Sequence, residues 1–438
     1  MHQAPPALKA QRIEAPVSMR RIGVASMIGT TIEWYDFFIF GTAAALIFNQ
    51  LFFPELGGAA GVMASLATFG VAFLARPLGT ILFGHLGDRI GRKKTLVSTL
   101  LLMGVATFLI GALPTAVSVG AWAAVLLVIL RLAQGLALGG EWAGAVLLIN
   151  EYAPEEKRGR YALFPQLGIA LGMILASGTF LLTDLLLSDE EFRSFGWRVP
   201  FLASAVLVLI GLYVRFKINE TPAFERMKAS EESVARIPVV EVFRHQTKEI
   251  ILGSLAITSG FTSFWIGYTY MTSYAPTHLG HSSSSVLLAG IPGGVILAVM
   301  IVVSAFFADK IGRKGIMIVS VALTIPWCFM LFPIVDTGSY GAFLFGSMLT
   351  LALYGLAYGA IGSLLPELFR ARYRYTGAGM VQSLGAIVGG ALPPILATWL
   401  VEQSGSFAVG IYMAVVAVIS LCALIALKDT REVDVINR

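Results

Sequence analysis

Long apolar stretches alternate with short polar breaks along the whole chain. Mostly apolar runs fall near 22–48, 60–83, 95–113, 121–149, 162–187 and 198–216, and again near 249–275, 285–308, 315–334, 341–363, 376–400 and 405–427. Each is close to or above the roughly 20 residues a helix needs to cross about 30 Å of hydrocarbon. The pattern predicts an all-α membrane protein with twelve transmembrane helices in two halves of six. The halves are expected at 22–217 and 249–427, with an N-tail over 1–21, a polar central loop over 218–248 and a C-tail over 428–438.

A charged motif recurs at the same place in each half. Residues 84–94 read GHLGDRIGRKK and residues 305–315 read AFFADKIGRKG. Asp88, Ile90, Gly91, Arg92 and Lys93 match Asp309, Ile311, Gly312, Arg313 and Lys314, and Arg89 faces the similar Lys310. Each copy reads as a compact charged hairpin between the second and third spans of its half. Half the chain therefore repeats the other half, an arrangement common among membrane carriers.

Composition and charge agree with this reading. Hydrophobic residues make up 57% and charged residues 13%, with mean hydropathy +0.79, whereas soluble domains carry about 25% charged residues. With the N-terminus placed in the cytoplasm, 27 of the 31 Lys and Arg residues fall in the tails and the loops of that side, seven of them assigned to the central loop. Arg193 and Arg198 lie outside, and Arg76 and Arg131 lie within spans. Basic residues favour the cytoplasmic side, so both termini are expected there. The net charge of +5 reflects this bias and implies no nucleic-acid partner. The first apolar stretch is too long for the core of a cleavable signal. Cys328 and Cys422 fall inside spans, so neither a disulfide framework nor a metal site is expected.

Several stretches carry a resemblance across nearly the whole chain. They are IEWYDFF at 32–38, ARPLG at 75–79, RLAQGLALGGEWAGA at 131–145, GWRVPF at 196–201, ETPAF at 220–224 and PELFRARYRYTG at 366–377. With the duplicated G-x-x-x-D-[RK]-x-G-R-K motif, the chain resembles the major facilitator superfamily. More narrowly it resembles the metabolite:proton symporters, whose members carry shikimate, 2-oxoglutarate, citrate or osmoprotectants such as proline and betaine. The second motif copy departs from the pattern by replacing the leading glycine with Ala305. The resemblance implies a carrier of the bacterial inner membrane that works without an enzymatic step.

The repeated motif suggests a gate. Asp88 is placed to rest on the positive N-terminal end of the eleventh span, near Tyr375, and Asp309 on that of the fifth, near Tyr161. Arg89, Arg92 and Arg313 belong to the same motif copies. Glu151 with Arg158, and Glu367 with Arg374, lie seven residues apart at neighbouring cytoplasmic ends and would complete ion-pair networks. Two readings stand: a latch closing the cytoplasmic side, or a topology signal that keeps cations inside.

Five charges lie deep in spans, all in the first half: Glu33, Asp36, Arg76, Arg131 and Glu141. Such groups are costly in a membrane and mark functional sites. Glu33 and Asp36 are three residues apart on one helix face, and taking up a proton would relieve their repulsion. Either Glu33 or Asp36 is the expected proton carrier, which makes H+ the coupling ion. Arg76 is expected either to neutralise Glu141 or to grip a substrate carboxylate, and Arg131 either to neutralise the Glu33/Asp36 pair or to do the same. Counting these two arginines against the three acids leaves a net −1, which one proton would neutralise. Arg131 opens R-x-x-x-G-x-x-x-G with Gly135 and Gly139, glycines that let its helix pack closely.

The second half offers neutral groups instead. The seventh span carries Thr258, Thr262, Trp265, Tyr268, Thr269 and Thr272, and Tyr354, Tyr358 and Gln382 follow in the tenth and eleventh. With Tyr35 from the first half, these suit either the neutral part of a substrate or simple helix packing. The expected function is proton-coupled symport of a small organic anion by alternating access. Symport of a zwitterion and proton-antiport efflux are the alternatives. No cofactor is expected, and a lipid-embedded monomer is the default.

Overall fold

A computed structural model describes the protein over residues 19–152, 158–216, 238–370 and 374–428. The first half comprises α1 (Met19–Leu46), α2 (Gly58–Ile90), α3 (Arg92–Ala112), α4 (Trp122–Tyr152), α5 (Arg158–Leu186) and α6 (Val199–Phe216). The second comprises α7 (Thr247–Leu279), α8 (Ser283–Ile311), α9 (Arg313–Val335), α10 (Tyr340–Glu367), α11 (Arg374–Ser404) and α12 (Phe407–Ala426). Short helices at Phe48–Phe52, Ala116–Val119, Asp189–Ser194 and Pro238–His245 lie between them. No strand occurs among the described residues. Eleven of the helices, α2 to α12, are long and apolar enough to cross a membrane. At 28 residues, α1 has the length, and it carries Arg20, Arg21, Glu33 and Asp36.

The helices at the cation-rich end run past the apolar stretches that define them in sequence. The charged hairpin expected between spans is almost entirely helical. In the first copy α2 continues to Ile90 and α3 starts at Arg92, with only Gly91 between them. In the second, α8 continues to Ile311 and α9 starts at Arg313 around Gly312. Gly91 and Gly312 have φ of 101° and 86°, backbone that only glycine adopts without steric cost. One glycine thus reverses the chain, and helix takes up the remaining residues.

The lysine that closes the D-[RK]-x-G-R-K motif has the same role in both halves. Lys93 Nζ donates to the Phe216 carbonyl at 2.9 Å, and Lys314 Nζ donates to the Ile425 and Leu427 carbonyls at 3.2 and 2.5 Å. Each lysine thereby satisfies carbonyls left without helical donors at the end of the sixth helix in its half, where the helix dipole favours a cation.

Packing repeats in the same way. In the first half α1 packs on α5, α2 on α4 and α3 on α6; in the second α7 packs on α11, α8 on α10 and α9 on α12. Helices α2 and α4 approach backbone to backbone. A methyl group at Gly135 would strike the Ala72 carbonyl, one at Gly139 the Arg76 carbonyl, and one at Gly79 the Leu136 carbonyl. Gly139→Ala is therefore expected to destabilise the first half by about 1–3 kcal/mol. Thermal unfolding in detergent checks this, with Gly178→Ala, which meets nothing within 4 Å, as the control.

The halves meet through α5 against α8 and α2 against α11. Toward the cation-rich end, Thr80 and Ser383 share a hydroxyl hydrogen bond of 3.1 Å, and Gln166 Nε2 donates to the Tyr358 carbonyl at 2.9 Å. Toward the opposite end, Tyr268 Oη lies 3.2 Å from Thr42 Oγ1 and 3.3 Å from Ser177 Oγ, and Ser284 donates to Asp184 at 2.6 Å. Contact on both sides leaves the polar groups at mid-height enclosed. Helices α7 and α11 also depart from regular winding, with π-turns at Ile266–Tyr270, Ala275–Leu279 and Ile387–Ala391. The third precedes Pro393 and Pro394, which lack the N–H groups that the Gly389 and Gly390 carbonyls would otherwise accept.

Candidate functional site

Helix rise places a band of polar groups about 12–21 Å above the cation-rich end. It comprises Glu33 on α1, Arg76 on α2, Tyr354 and Tyr358 on α10, and Gln382 on α11. Arg76 is 1% exposed, and its electrostatic neighbours are Glu33, Tyr358 and Tyr354. Its Nε and Nη1 have no hydrogen-bond partner among the described residues. The same holds for Tyr354 Oη and for both polar atoms of Gln382. The Tyr354 and Tyr358 rings lie 5.1 Å apart on α10. Buried polar groups left this way are costly, so a site that collects them from both halves suits a polar ligand.

A continuous aromatic layer covers the band on the side away from the cation-rich end. Phe37 and Phe38 of α1, Phe69 and Phe73 of α2, and Phe264 of α7 surround Trp265, with ring centroids 4.8–5.9 Å from it. Tyr268 joins the layer through Phe38 at 5.2 Å and ties it to the hydroxyl contacts between the halves. Trp265 Nε1 also has no partner among the described residues. Of the second-half groups expected from sequence, Trp265, Tyr354, Tyr358 and Gln382 thus gather about the enclosed band, whereas Tyr268 serves to join the halves.

Charge pairing differs from the expectation. Glu141 pairs with Arg215, not with Arg76, and also accepts a hydrogen bond of 2.9 Å from Thr99. Arg215 is 7% exposed, although counting loop cations assigns it to the central loop. The side chain turns inward from the last turn of α6 and also donates to the Leu96 carbonyl. With Arg215 included, three buried arginines (Arg76, Arg131, Arg215) face three buried acids (Glu33, Asp36, Glu141). The charges balance, in place of the net −1 expected from sequence.

Arg131 does not contact the Glu33/Asp36 pair. Its Nη2 donates to the Phe69 carbonyl at 3.0 Å, its Nε to the Thr68 carbonyl at 3.4 Å and its Nη1 to Gln134 at 2.7 Å. The guanidinium lies 3.8 Å from the Phe40 ring centroid. With each of its three nitrogens donating to the protein, it favours the structural reading over capture of a carboxylate. The link to Asp36 is indirect: Gln134 Nε2 donates to Thr107 Oγ1 at 2.7 Å, and Thr107 donates to Asp36 Oδ2 at 2.9 Å. Ser204 donates to Asp36 Oδ1 at 2.5 Å. Asp36 is fully buried among α1, α3 and α6, while Glu33 turns toward Arg76 and Arg215. The two acids are electrostatic neighbours with separate partners. Tyr35 also turns away from the band, donating to the Pro200 carbonyl at 2.9 Å.

The gate is described in part. Arg313 and Glu367 form an ion pair of 2.8 Å, joining the start of α9 to the end of α10, and Arg374 opens α11. The side chains of Asp88, Arg89, Arg92, Asp309, Glu151 and Arg158 lie outside the described residues. Sequence reasoning missed Arg215, Gln134, Thr107, Ser204 and Gln166. Gln134 carried a usable signal, because it stands three residues after Arg131 on the same helix face.

Known proteins match the chain end to end. The Major Facilitator Superfamily profile matches residues 26–393. The Escherichia coli inner membrane metabolite transport protein YhjE is 43% identical over 95% of this chain and 96% of its own length. The E. coli shikimate transporter is 37% identical over 94% of this chain and 95% of its own length. The E. coli proline/betaine transporter is 32% identical over 94% of this chain and 84% of its own length. Among solved structures, the proton:xylose symporter XylE bound to 6-bromo-6-deoxy-D-glucose superposes with a TM-score of 0.76 at 18% identity, covering 94% of this chain and 96% of that one.

Proposed function

Because this chain belongs to the Major Facilitator Superfamily, we propose that it carries a small organic anion together with a proton by alternating access. In this reading α1 completes twelve crossings, both termini face the cytoplasm, and the membrane is the bacterial inner membrane. The chain acts as a monomer, because each pair of halves encloses its own pathway.

The observation that carries the reading is Arg76. It is a buried guanidinium with two nitrogens that have no partner among the described residues, beside Glu33 and near two tyrosines of the other half. A substrate carboxylate would supply an acceptor to one of those nitrogens through a charge-assisted hydrogen bond. Tyr354 Oη and Gln382 would bind its hydroxyl or carbonyl groups, and Trp265 its apolar face. The buried charge is balanced before the substrate enters. An anion brought in alone would upset the balance, and an anion with one proton keeps it. Glu33 is placed to hold that proton next to the substrate, and Asp36 is sealed away behind Ser204 and Thr107.

Symport of a zwitterion is a second reading, favoured by the aromatic layer next to Glu33, since rings attract a cationic nitrogen. Uptake of labelled shikimate, 2-oxoglutarate, citrate, benzoate, proline and betaine into proteoliposomes separates the two. With an inward proton gradient, one acid is expected to accumulate and to leak away after an uncoupler. Accumulation of proline or betaine alone would establish the second reading, and uptake indifferent to the gradient would remove proton coupling.

A further inference from the structure

Arg215 joins four helices through one guanidinium. It lies on α1 at Gly29, where an added Cβ would come within 2.7 Å of its Nη2. Glu33 follows Gly29 by one turn on the same face of α1 and is an electrostatic neighbour of the arginine. On α4, Glu141 pairs with Nη2, and its second oxygen lies 3.3 Å from Nη1. On α3, the Leu96 carbonyl accepts from Nη1. Leu96 belongs to the first turns of the helix that starts at the repeated motif, and Lys93 of that motif binds the carbonyl of Phe216, next to Arg215. The charged groups around the guanidinium are therefore Glu33 and, beyond it, Asp36 on α1, Arg76 across Glu33 on α2, Lys93 on α3 and Glu141 on α4. The second half has no counterpart among the described residues. Lys314 holds the end of α12 as Lys93 holds the end of α6, but the last turn of α12 contains no basic residue.

We infer that Arg215 is a positioning residue that transmits the protonation of Glu33 to the packing of α3 and α4 against α6. The inference rests on the proton-symport reading above. With Glu33 ionised, its charge pulls on the guanidinium from α1 while Glu141 holds it directly. With Glu33 protonated, the attraction goes to Glu141 and the Leu96 carbonyl, and the clamp at the cation-rich end tightens. The proton moves only on and off the Glu33 carboxyl, and Arg215 keeps its charge throughout. A substrate anion on Arg76 would compete with Glu33 for the same positive field, so cargo and proton would act on one clamp.

The test uses the full-length protein in proteoliposomes, with Arg215→Lys and, to avoid a stranded buried charge, the double variant Arg215→Met/Glu141→Leu. Two rates are compared over an acid-to-alkaline series: substrate exchange, which needs no net proton movement, and accumulation driven by a proton gradient. In both variants the ratio of accumulation to exchange is expected to fall by roughly tenfold, within the usual range for coupled sites, and the pH profile of exchange to flatten. Glu33→Gln should flatten the profile by itself, and Arg215→Lys should add nothing further on that background. Parallel loss of exchange and accumulation, or an unchanged pH profile, would reduce Arg215 to a structural brace and overturn the inference. Absence of gradient-driven accumulation in the unmodified protein would instead overturn the symport reading itself.

Discussion

Arg76→Ala is expected to lower substrate uptake by roughly 30- to 3,000-fold, because loss of one member of a buried charged hydrogen-bonding pair costs about 2–5 kcal/mol at about 1.4 kcal/mol per tenfold. The nitrogen that would grip the carboxylate has no other partner among the described residues, so its removal leaves no competing contact to take over. Arg76→Lys keeps the charge and loses the planar guanidinium geometry, and it should fall between the alanine variant and the unmodified protein. Initial uptake rates in proteoliposomes decide this, with thermal unfolding in detergent to show that each variant is folded. Uptake by a folded Arg76→Ala within threefold of the unmodified protein would remove Arg76 from the substrate site.

Glu141→Leu alone should destabilise the protein by about 3–5 kcal/mol, whereas the Arg215→Met/Glu141→Leu double variant should recover most of that loss. The single change leaves the Arg215 guanidinium buried with the Leu96 carbonyl and no direct anionic partner. The double change removes both charges and fills the volume with apolar side chains, which is often neutral for stability. Thermal unfolding of the two variants in the same detergent tests the pair directly. Equal loss in both would mean that volume, and not charge, holds this corner of the first half.

The elements and their order were readable because a bilayer imposes a simple requirement. Each crossing is a long apolar stretch, and the runs ending near 113, 216 and 427 stop within a residue or two of α3, α6 and α12. Runs ending near 83, 308 and 363 stop short of Ile90, Ile311 and Glu367, because apolar content reports burial in lipid and a helix continues into water without it. The glycines after Arg131 were readable for a similar reason. Small residues at a spacing of four form one stripe, and that stripe packs against the α2 backbone.

Pairings were less readable. Arg215 and Glu141 lie 74 positions apart, and Arg215 stands beside a loop where an arginine looks solvated. Its length lets it reach inward from the helix end, and nothing in the local pattern distinguishes that from pointing outward. Arg131 does not meet the Glu33/Asp36 pair, because its acceptors are the Thr68 and Phe69 carbonyls and Gln134. Backbone acceptors exist at every position and carry no sequence signature. The gathering of Arg76, Tyr354, Tyr358 and Gln382 was legible as chemistry, with the arginine in one half and the hydroxyls and amide in the other, but not as geometry.

Every buried acidic or basic side chain among the described residues belongs to the first half, and the second adds only neutral polar and aromatic groups to the shared site. Under the proposed function, the first half holds the proton and the substrate carboxylate, and the second half reads the rest of the substrate. A lineage built on this plan can acquire new nutrients through substitutions in α7, α10 and α11 while its charge balance is inherited unchanged.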